Sequence, residues 1–261
     1  FCNKMWNALR LIKGWEISDK AVSPDLEKVN DLAAKWFDQK LSAAIERMES
    51  NFSEYRLSEV TMDLYNFMWN DFFNGYLEMI KPPYGSPIDR ATYNQAIDFF
   101  EQLMIMLHPI MPFVTEEIWH QLKERKDGED CMASRYPKAG SIDKEFLKNF
   151  ETVKDTITKI REIRQKNQLK SYEPLKTFVQ ESASATDFFG IEGMRELLQK
   201  MAALESLTFT KGEPANTVNF ISGTEKFYVE LNLTIDVEAE KERIGKELAY
   251  MKGFLVSVDK K

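Results

Sequence analysis

The sequence has 261 residues, of which 43% are hydrophobic and 30% are charged, and this balance excludes an intrinsically disordered chain. The formal net charge of -7 excludes attraction of the whole chain to a polyanion, so a nucleic acid would have to meet a local basic surface. Two cysteines provide no disulfide framework, and the longest uncharged run, Gln102–Thr115, is too short to cross a bilayer. We therefore expect a cytoplasmic protein that makes no membrane contact.

The first part of the sequence predicts three long helices. Apolar residues recur at helical spacing over about 1–15, 24–52 and 56–80. The second helix is preceded by Ser23, a favourable N-cap, and begins with Pro24, a favourable first-turn residue. The third helix has aromatic residues on nearly every face, which indicates burial on more than one side.

A proline corner then joins two further helices. Ser86, followed by proline and by an acid three residues later, has the spacing of a capping box and predicts the start of a fourth helix that runs to His108. Pro109 and Pro112 stop that helix and open a fifth. Helices with such short connections predict a mainly α fold, in which residues 1–140 form an antiparallel helical bundle.

The pattern changes after residue 140. A sixth helix is predicted to end near Asn167, and short strands follow over about 176–180 and 204–210, with a helix between them. A turn pattern at 222–225 predicts a hairpin, so residues 141–235 are interpreted as a small α+β module. Residues 236–261 have heptad spacing, which predicts the first helix of a truncated coiled coil that needs a partner helix.

The sequence contains no recognisable catalytic or cofactor-binding motif. Neither a G-x-x-x-x-G-K-[ST] loop nor a G-x-G-x-x-G loop occurs, so no phosphate-binding loop is predicted. The two cysteines and two histidines are too dispersed for a zinc site. We interpret His108 as a helix-end or core hydrogen-bonding residue, and Glu116 and Glu117 as favourable first-turn charges. We therefore expect no catalytic residue, cofactor or metal site in this chain.

Five strings in the chain resemble class I aminoacyl-tRNA synthetases, in particular the anticodon-binding region of valyl-tRNA synthetases. They are Phe1–Arg10, similar to N-F-C-N-K-L-W-N-A-x-R; Leu32–Trp36, similar to L-A-D-R-W; Tyr65–Phe72, similar to Y-x-F-x-W-x-x-F; Tyr76–Pro82, matching Y-L-E-x-x-K-P; and His108–Trp119, matching H-P-x-x-P-F-x-T-E-E-x-W. Ala34 and Lys35 depart from the second pattern. Isoleucyl-tRNA synthetases carry relatives of the last string and are the alternative, although the cysteine-rich zinc module common in them does not occur in this sequence.

The resemblance implies an anticodon-binding role. The intact enzyme would attach valine to tRNA(Val) with ATP and Mg2+, using catalytic and editing domains; the catalytic motifs, H-I-G-H and K-M-S-K-S, do not occur here. Because the chain opens on Phe1 rather than methionine, we expect an inactive, monomeric piece of such an enzyme that binds the anticodon stem-loop and contacts those domains. The alternative without RNA is a helical scaffold that binds other proteins through the heptad helix.

Eight residues are candidates for RNA contact, because unstacked anticodon bases are recognised by stacking and by base-edge hydrogen bonds while cations hold the backbone. They are Lys4, Asn7, Arg10, Lys35, Trp36, Arg161, Arg164 and Lys166. The resemblance implies that Arg10 and the Leu32–Trp36 string lie near the anticodon, with Trp36 as a stacking platform. The structural alternatives are a surface ion pair for Arg10, a core position for Trp36, and complementation of the helix dipole by the cations between Arg161 and Lys166.

Overall fold

The computed structural model describes residues 1–20, 22–231, 248 and 251. The helices are α1 (Cys2–Lys13), α2 (Pro24–Ser53), α3 (Leu57–Asn66), a π-helical segment (Phe67–Tyr76), α4 (Leu77–Ile80), α5 (Arg90–Leu107), α6 (Pro112–Leu122), a 3-10 turn (Cys131–Ala133), α7 (Lys144–Lys166), α8 (Ala183–Gly190) and α9 (Met194–Ala202). The strands are β1 (Ile17–Ser18), β2 (Ile88–Asp89), β3 (Leu175–Gln180), β4 (Leu204–Thr210), β5 (Thr217–Ser222) and β6 (Glu225–Glu230). Within the described ranges, no helix combines the length and apolar character needed to cross a membrane. The predicted heptad helix over 236–261 lies outside the described residues, apart from two positions.

The predicted helix start is confirmed at α2 and corrected at α5. The Ser23 hydroxyl accepts a hydrogen bond from a first-turn amide of α2, as an N-cap does. The predicted cap at Ser86 is wrong, because Asp89 Oδ1 caps α5 by accepting from the Thr92 amide at 2.8 Å. The start moves along the chain because Ile88 is held in β2, which pairs in parallel with β1. A tertiary contact has therefore overridden a local capping pattern.

The proline corner is confirmed. α5 ends at Leu107 and α6 begins at Pro112. His108 Nδ1 lies 2.9 Å from Oγ1 of the buried Thr115, so the imidazole ties the end of α5 to the first turn of α6. His108 therefore has the helix-end role that the sequence predicts.

The predicted third helix is continuous from Leu57 to Ile80, but its central ten residues form a π-helix. Its rings surround Phe37 of α2, whose centroid lies 4.8–5.3 Å from four aromatic neighbours: Phe67, Phe72, Tyr76 and Phe99. Because π-helical hydrogen bonds join residues five apart, the directions of the side chains differ from those that a 3.6-residue period predicts.

The segment from α7 to β6 has the predicted α+β composition. Its sheet has the strand order β4-β3-β6-β5, with β3 and β4 parallel and the other pairs antiparallel. α8 and α9 connect β3 to β4, whereas the sequence predicts only the second of them. The predicted hairpin turns at Gly223, whose φ of 58° favours glycine.

One hydrophobic core runs from the bundle into this α+β segment. α2 lies between them, because its Phe37 packs on the π-helical segment while Trp36 stacks on Phe150 of α7 at 4.7 Å. Just before α9, a Cβ at Gly193 would lie only 2.4 Å from the Lys28 carbonyl oxygen of α2. α7 and α9 are thus packed directly on the bundle, and the unit boundary predicted near residue 140 stays a prediction.

Candidate nucleic-acid interface

The exposed face of α1 presents three polar side chains at helical spacing. Asn3, Asn7 and Arg10 are exposed, whereas Met5 and Leu9 are buried against the bundle. Residues three and four apart share a helix face, so the Asn7 amide and the Arg10 guanidinium can reach the same ligand. Contact of Asn7 and Arg10 with RNA stays a prediction.

Lys4, on the flank of this face, joins α1 to the π-helical segment. Its ammonium donates to Asn74 Oδ1 at 3.0 Å and lies 5.5 Å from the centroid of the Trp69 ring. Trp69 stacks on Tyr65, with centroids 5.7 Å apart and planes within 19°, and Tyr65 is 38% exposed. A cation beside stacked, partly exposed rings is a combination that suits unpaired bases.

A basic cleft begins at Asn74. It has a volume of about 560 Å³ and lies between the segment that ends in α4 and the helices α7 and α9. The cleft is lined by the cationic side chains of Lys81, Arg161 and Lys200 and by one carboxylate, that of Glu78. The charge along this cleft is therefore positive, although the chain as a whole is acidic.

Two of the cleft cations are positioned by backbone carbonyls. Arg161 Nη2 donates to the Met201 carbonyl at 3.0 Å, and Lys200 Nζ donates to the Met79 carbonyl at 2.6 Å. Burial lowers the pKa of Lys200 to about 8, and the nearby carboxylate of Glu78 opposes the shift. Lys200 can therefore gain or lose its charge close to neutral pH.

Asn74 joins the two parts of this region, because it accepts the hydrogen bond from Lys4 and also lines the cleft with Arg161. Two candidates that are distant in sequence thus lie on one surface. We call it the basic surface, and its residues are Lys4, Asn74, Lys81, Arg161 and Lys200. The sequence analysis missed Lys81 and Lys200, although Lys81 occupies the lysine position of the Y-L-E-x-x-K-P string.

The prediction that Trp36 offers a stacking platform is wrong. Its side chain is 0% exposed, and its ring stacks on Phe150 with planes within 14°. A Cβ at Gly75 would lie 3.0 Å from Trp36 Cη2, so the ring also lies close to the π-helical backbone. Because α2 is covered on two sides, neighbouring residues along it both face the core. Tyr65 and Trp69 are the ring pair that solvent reaches instead.

The prediction that Arg164 contacts phosphate is also wrong. Arg164 is only 4% exposed. Its guanidinium donates to four backbone carbonyls, those of Lys170, Glu173, Ala202 and Ala203. These bonds tie the end of α7 to the end of α9 and to the loop before β3, so the guanidinium is committed to the fold.

Lys35 and Lys166 are both exposed. Lys35 Nζ lies 4.6 Å from the centroid of the Phe146 ring and lines a separate groove beside α8 and α9. The carboxylates of that groove are those of Glu27, Asp31 and Glu192. Because these carboxylates repel phosphate, the surroundings of Lys35 disfavour an RNA backbone there. Lys166 is the last residue of α7, and its contact with RNA stays a prediction.

Comparison with known proteins gives an independent view of this region. The family "anticodon-binding domain of tRNA ligase" matches residues 34–179, a range that includes Lys81 and Arg161. Valine–tRNA ligases from Bacteroides fragilis, Porphyromonas gingivalis and Parabacteroides distasonis are 40%, 39% and 38% identical to the chain over its whole length. The chain spans 29% of the length of each of these relatives. The chain therefore belongs to the anticodon-binding domain family of tRNA ligases.

Proposed function

We propose that this chain binds tRNA, with valine tRNA as its cognate, and that it is the anticodon-recognising part of a valine–tRNA ligase. The basic surface carries the proposal, because it concentrates cations beside the stacked rings of Tyr65 and Trp69 in a chain of net charge -7. Cations suit the phosphate backbone and rings suit splayed bases. The names of the relatives favour valine over isoleucine.

We propose further that the other parts of such a ligase carry the chemistry. Valine activation with ATP and Mg2+, and editing, would belong to the catalytic and editing domains of the longer protein. Two observations support this division: the chain spans 29% of its relatives' length, and the H-I-G-H and K-M-S-K-S motifs do not occur in its sequence. The chain would then hold the anticodon stem-loop and orient the tRNA toward those domains.

Filter binding at several salt concentrations, with valine and isoleucine tRNA transcripts, tests the proposal. We expect tighter binding of the valine transcript, and an affinity whose logarithm falls linearly with the logarithm of salt, by about 0.7 for each single-strand phosphate contact. An isoleucine transcript given the valine anticodon should bind more tightly than its parent. Equal affinity for all three transcripts would refute the valine assignment, and binding insensitive to salt would refute phosphate contact.

A charge-matched pair of variants tests the basic surface. Arg161→Gln removes a cleft cation, so it should weaken binding of every transcript and make the salt dependence shallower by about 1 unit. Lys211→Gln removes the same charge from an exposed residue that follows β4, outside the basic surface, and should bind as the parent does. An equal loss in both variants would mean that affinity follows net charge and not this surface.

A further inference from the structure

Three side chains at the end of α6 form a cluster that tRNA binding does not use. His120 Nε2 lies 3.3 Å from Glu116 Oε1 and 3.3 Å from Asp130 Oδ1. Glu116 and His120 are one helical turn apart on α6, and Asp130 comes from the loop that follows the helix. We propose that Glu116, His120 and Asp130 form a binding site for a divalent transition-metal cation such as Zn2+.

The spacing of the donor atoms suits such a cation. Zinc bonds to imidazole nitrogen and to carboxylate oxygen are about 2.0–2.2 Å long, so neighbouring ligand atoms around a tetrahedral zinc lie roughly 3.3–3.6 Å apart. Both separations from His120 Nε2 fall at this value, and the three donor atoms all lie within 4.8 Å of one another. One imidazole and two carboxylates would provide three ligands, with water as the fourth.

Glu116 is held in position by the backbone. Its Oε1 accepts from the Cys131 amide at 2.7 Å, and its Oε2 accepts from the Met132 amide at 3.3 Å. Each carboxylate oxygen has two lone pairs, so these hydrogen bonds leave acceptor capacity for a cation. A ligand that is already oriented loses less conformational freedom on binding, which favours affinity.

The cluster is open to solvent, so a cation can enter it. The side chains of His120 and Asp130 are 43% and 48% exposed, and that of Glu116 is 29% exposed. A bound cation would join α6 to the loop at Asp130, next to the hydrogen bond from Trp119 Nε1 to the Glu129 carbonyl. Because a ligand that binds only the folded state raises its stability, metal should raise the melting temperature.

The sequence predicts no metal site because its cysteines and histidines are dispersed. This reasoning considered only the spacing of the softer ligands along the chain. Folding places the Asp130 carboxylate, ten residues beyond His120, against the same imidazole nitrogen. A site with one histidine and two carboxylates from different segments has no short motif by which to find it.

Isothermal titration calorimetry of the whole chain with ZnCl2, CoCl2 and MgCl2 tests the proposal. Glu116 is left unchanged because it also caps the loop. His120→Gln and Asp130→Asn each remove one ligand, and Glu117→Gln is the matched control, since Glu117 is an exposed neighbour on α6 that bonds Gln121. Circular dichroism establishes that each variant is folded, so a lost site is distinguished from a lost fold.

We expect the parent and Glu117→Gln to bind one equivalent of Zn2+ or Co2+, with Mg2+ at least about tenfold weaker because its ligand preference is for oxygen alone. His120→Gln and Asp130→Asn should each lose about tenfold or more in affinity, and Zn2+ should no longer raise their melting temperature. If the parent binds neither Zn2+ nor Co2+, or if His120→Gln binds them as tightly as the parent, the proposed site does not exist.

Discussion

Arg161 and Arg164 lie one turn apart on α7, yet the structure assigns them to different tasks, and substitution by methionine separates the two. Arg164→Met removes a donor from four carbonyls, at least one of which, that of Ala202, is buried. Hydrogen bonds from a charged donor contribute about 1.5–3 kcal/mol each. Against this, the buried guanidinium loses several kcal/mol of hydration that methionine does not lose. The balance predicts a decrease of about 2–4 kcal/mol in the free energy of unfolding.

Urea unfolding monitored by circular dichroism measures this loss. Arg161→Met is the matched control, because Arg161 is exposed and donates one hydrogen bond, so its stability should stay within about 1 kcal/mol of the parent. In filter binding at low temperature, where both variants are folded, only Arg161→Met should lose tRNA affinity. The assignment is refuted if Arg164→Met unfolds at the same urea concentration as the parent, or if it stays folded and binds tRNA less tightly.

Three further predictions address the core, the rings and the pH dependence. Trp36→Ala should lower the free energy of unfolding by about 3–5 kcal/mol in urea, because the ring is fully buried against Phe150; a loss below about 1 kcal/mol would contradict that burial. Tyr65→Ala should weaken tRNA binding by about 1–3 kcal/mol in filter assays, whereas Tyr55→Ala, at a residue 87% exposed and outside the basic surface, should not. The pKa of Lys200 is lowered on folding to about 8 from 10.5, so the unfolded state binds the extra proton between these values and the free energy of unfolding should rise with pH across that window. Over the same window tRNA affinity should fall as Lys200 loses its charge, and Lys200→Met should abolish both trends.

Much of the fold follows from local sequence because apolar periodicity and proline act within a few residues. Pro24 and Pro112 both stand at the first positions of helices, as their fixed φ predicts. Ser86 shows where this reasoning fails. Its capping spacing is good, but pairing of Ile88 with β1 extends the backbone, and the cap passes to Asp89. A contact between distant segments decides that helix start, and no local pattern contains it.

The site was harder to predict than the fold, because exposure depends on what packs against each helix. Apolar periodicity assigns Phe37 to the core and leaves the neighbouring Trp36 undecided until α7 is known to cover the second side of α2. The same holds for Arg164, which differs from Arg161 only because the end of α9 lies within reach of its guanidinium. Lys200 has no motif, and only the tertiary structure brings it to the cleft.

The basic surface crosses the position near residue 140 where the sequence predicts a change of unit. Lys4 and Lys81 reach it from the bundle, whereas Arg161 and Lys200 reach it from α7 and α9. The distance between these two pairs of cations is therefore set by the packing of α7 and α9 on the bundle, including the hydrogen bond from Lys200 to the Met79 carbonyl. RNA phosphates that bridge the cleft would oppose any separation of these elements. The contacts that complete the hydrophobic core thus also fix the charge spacing that an RNA backbone would meet.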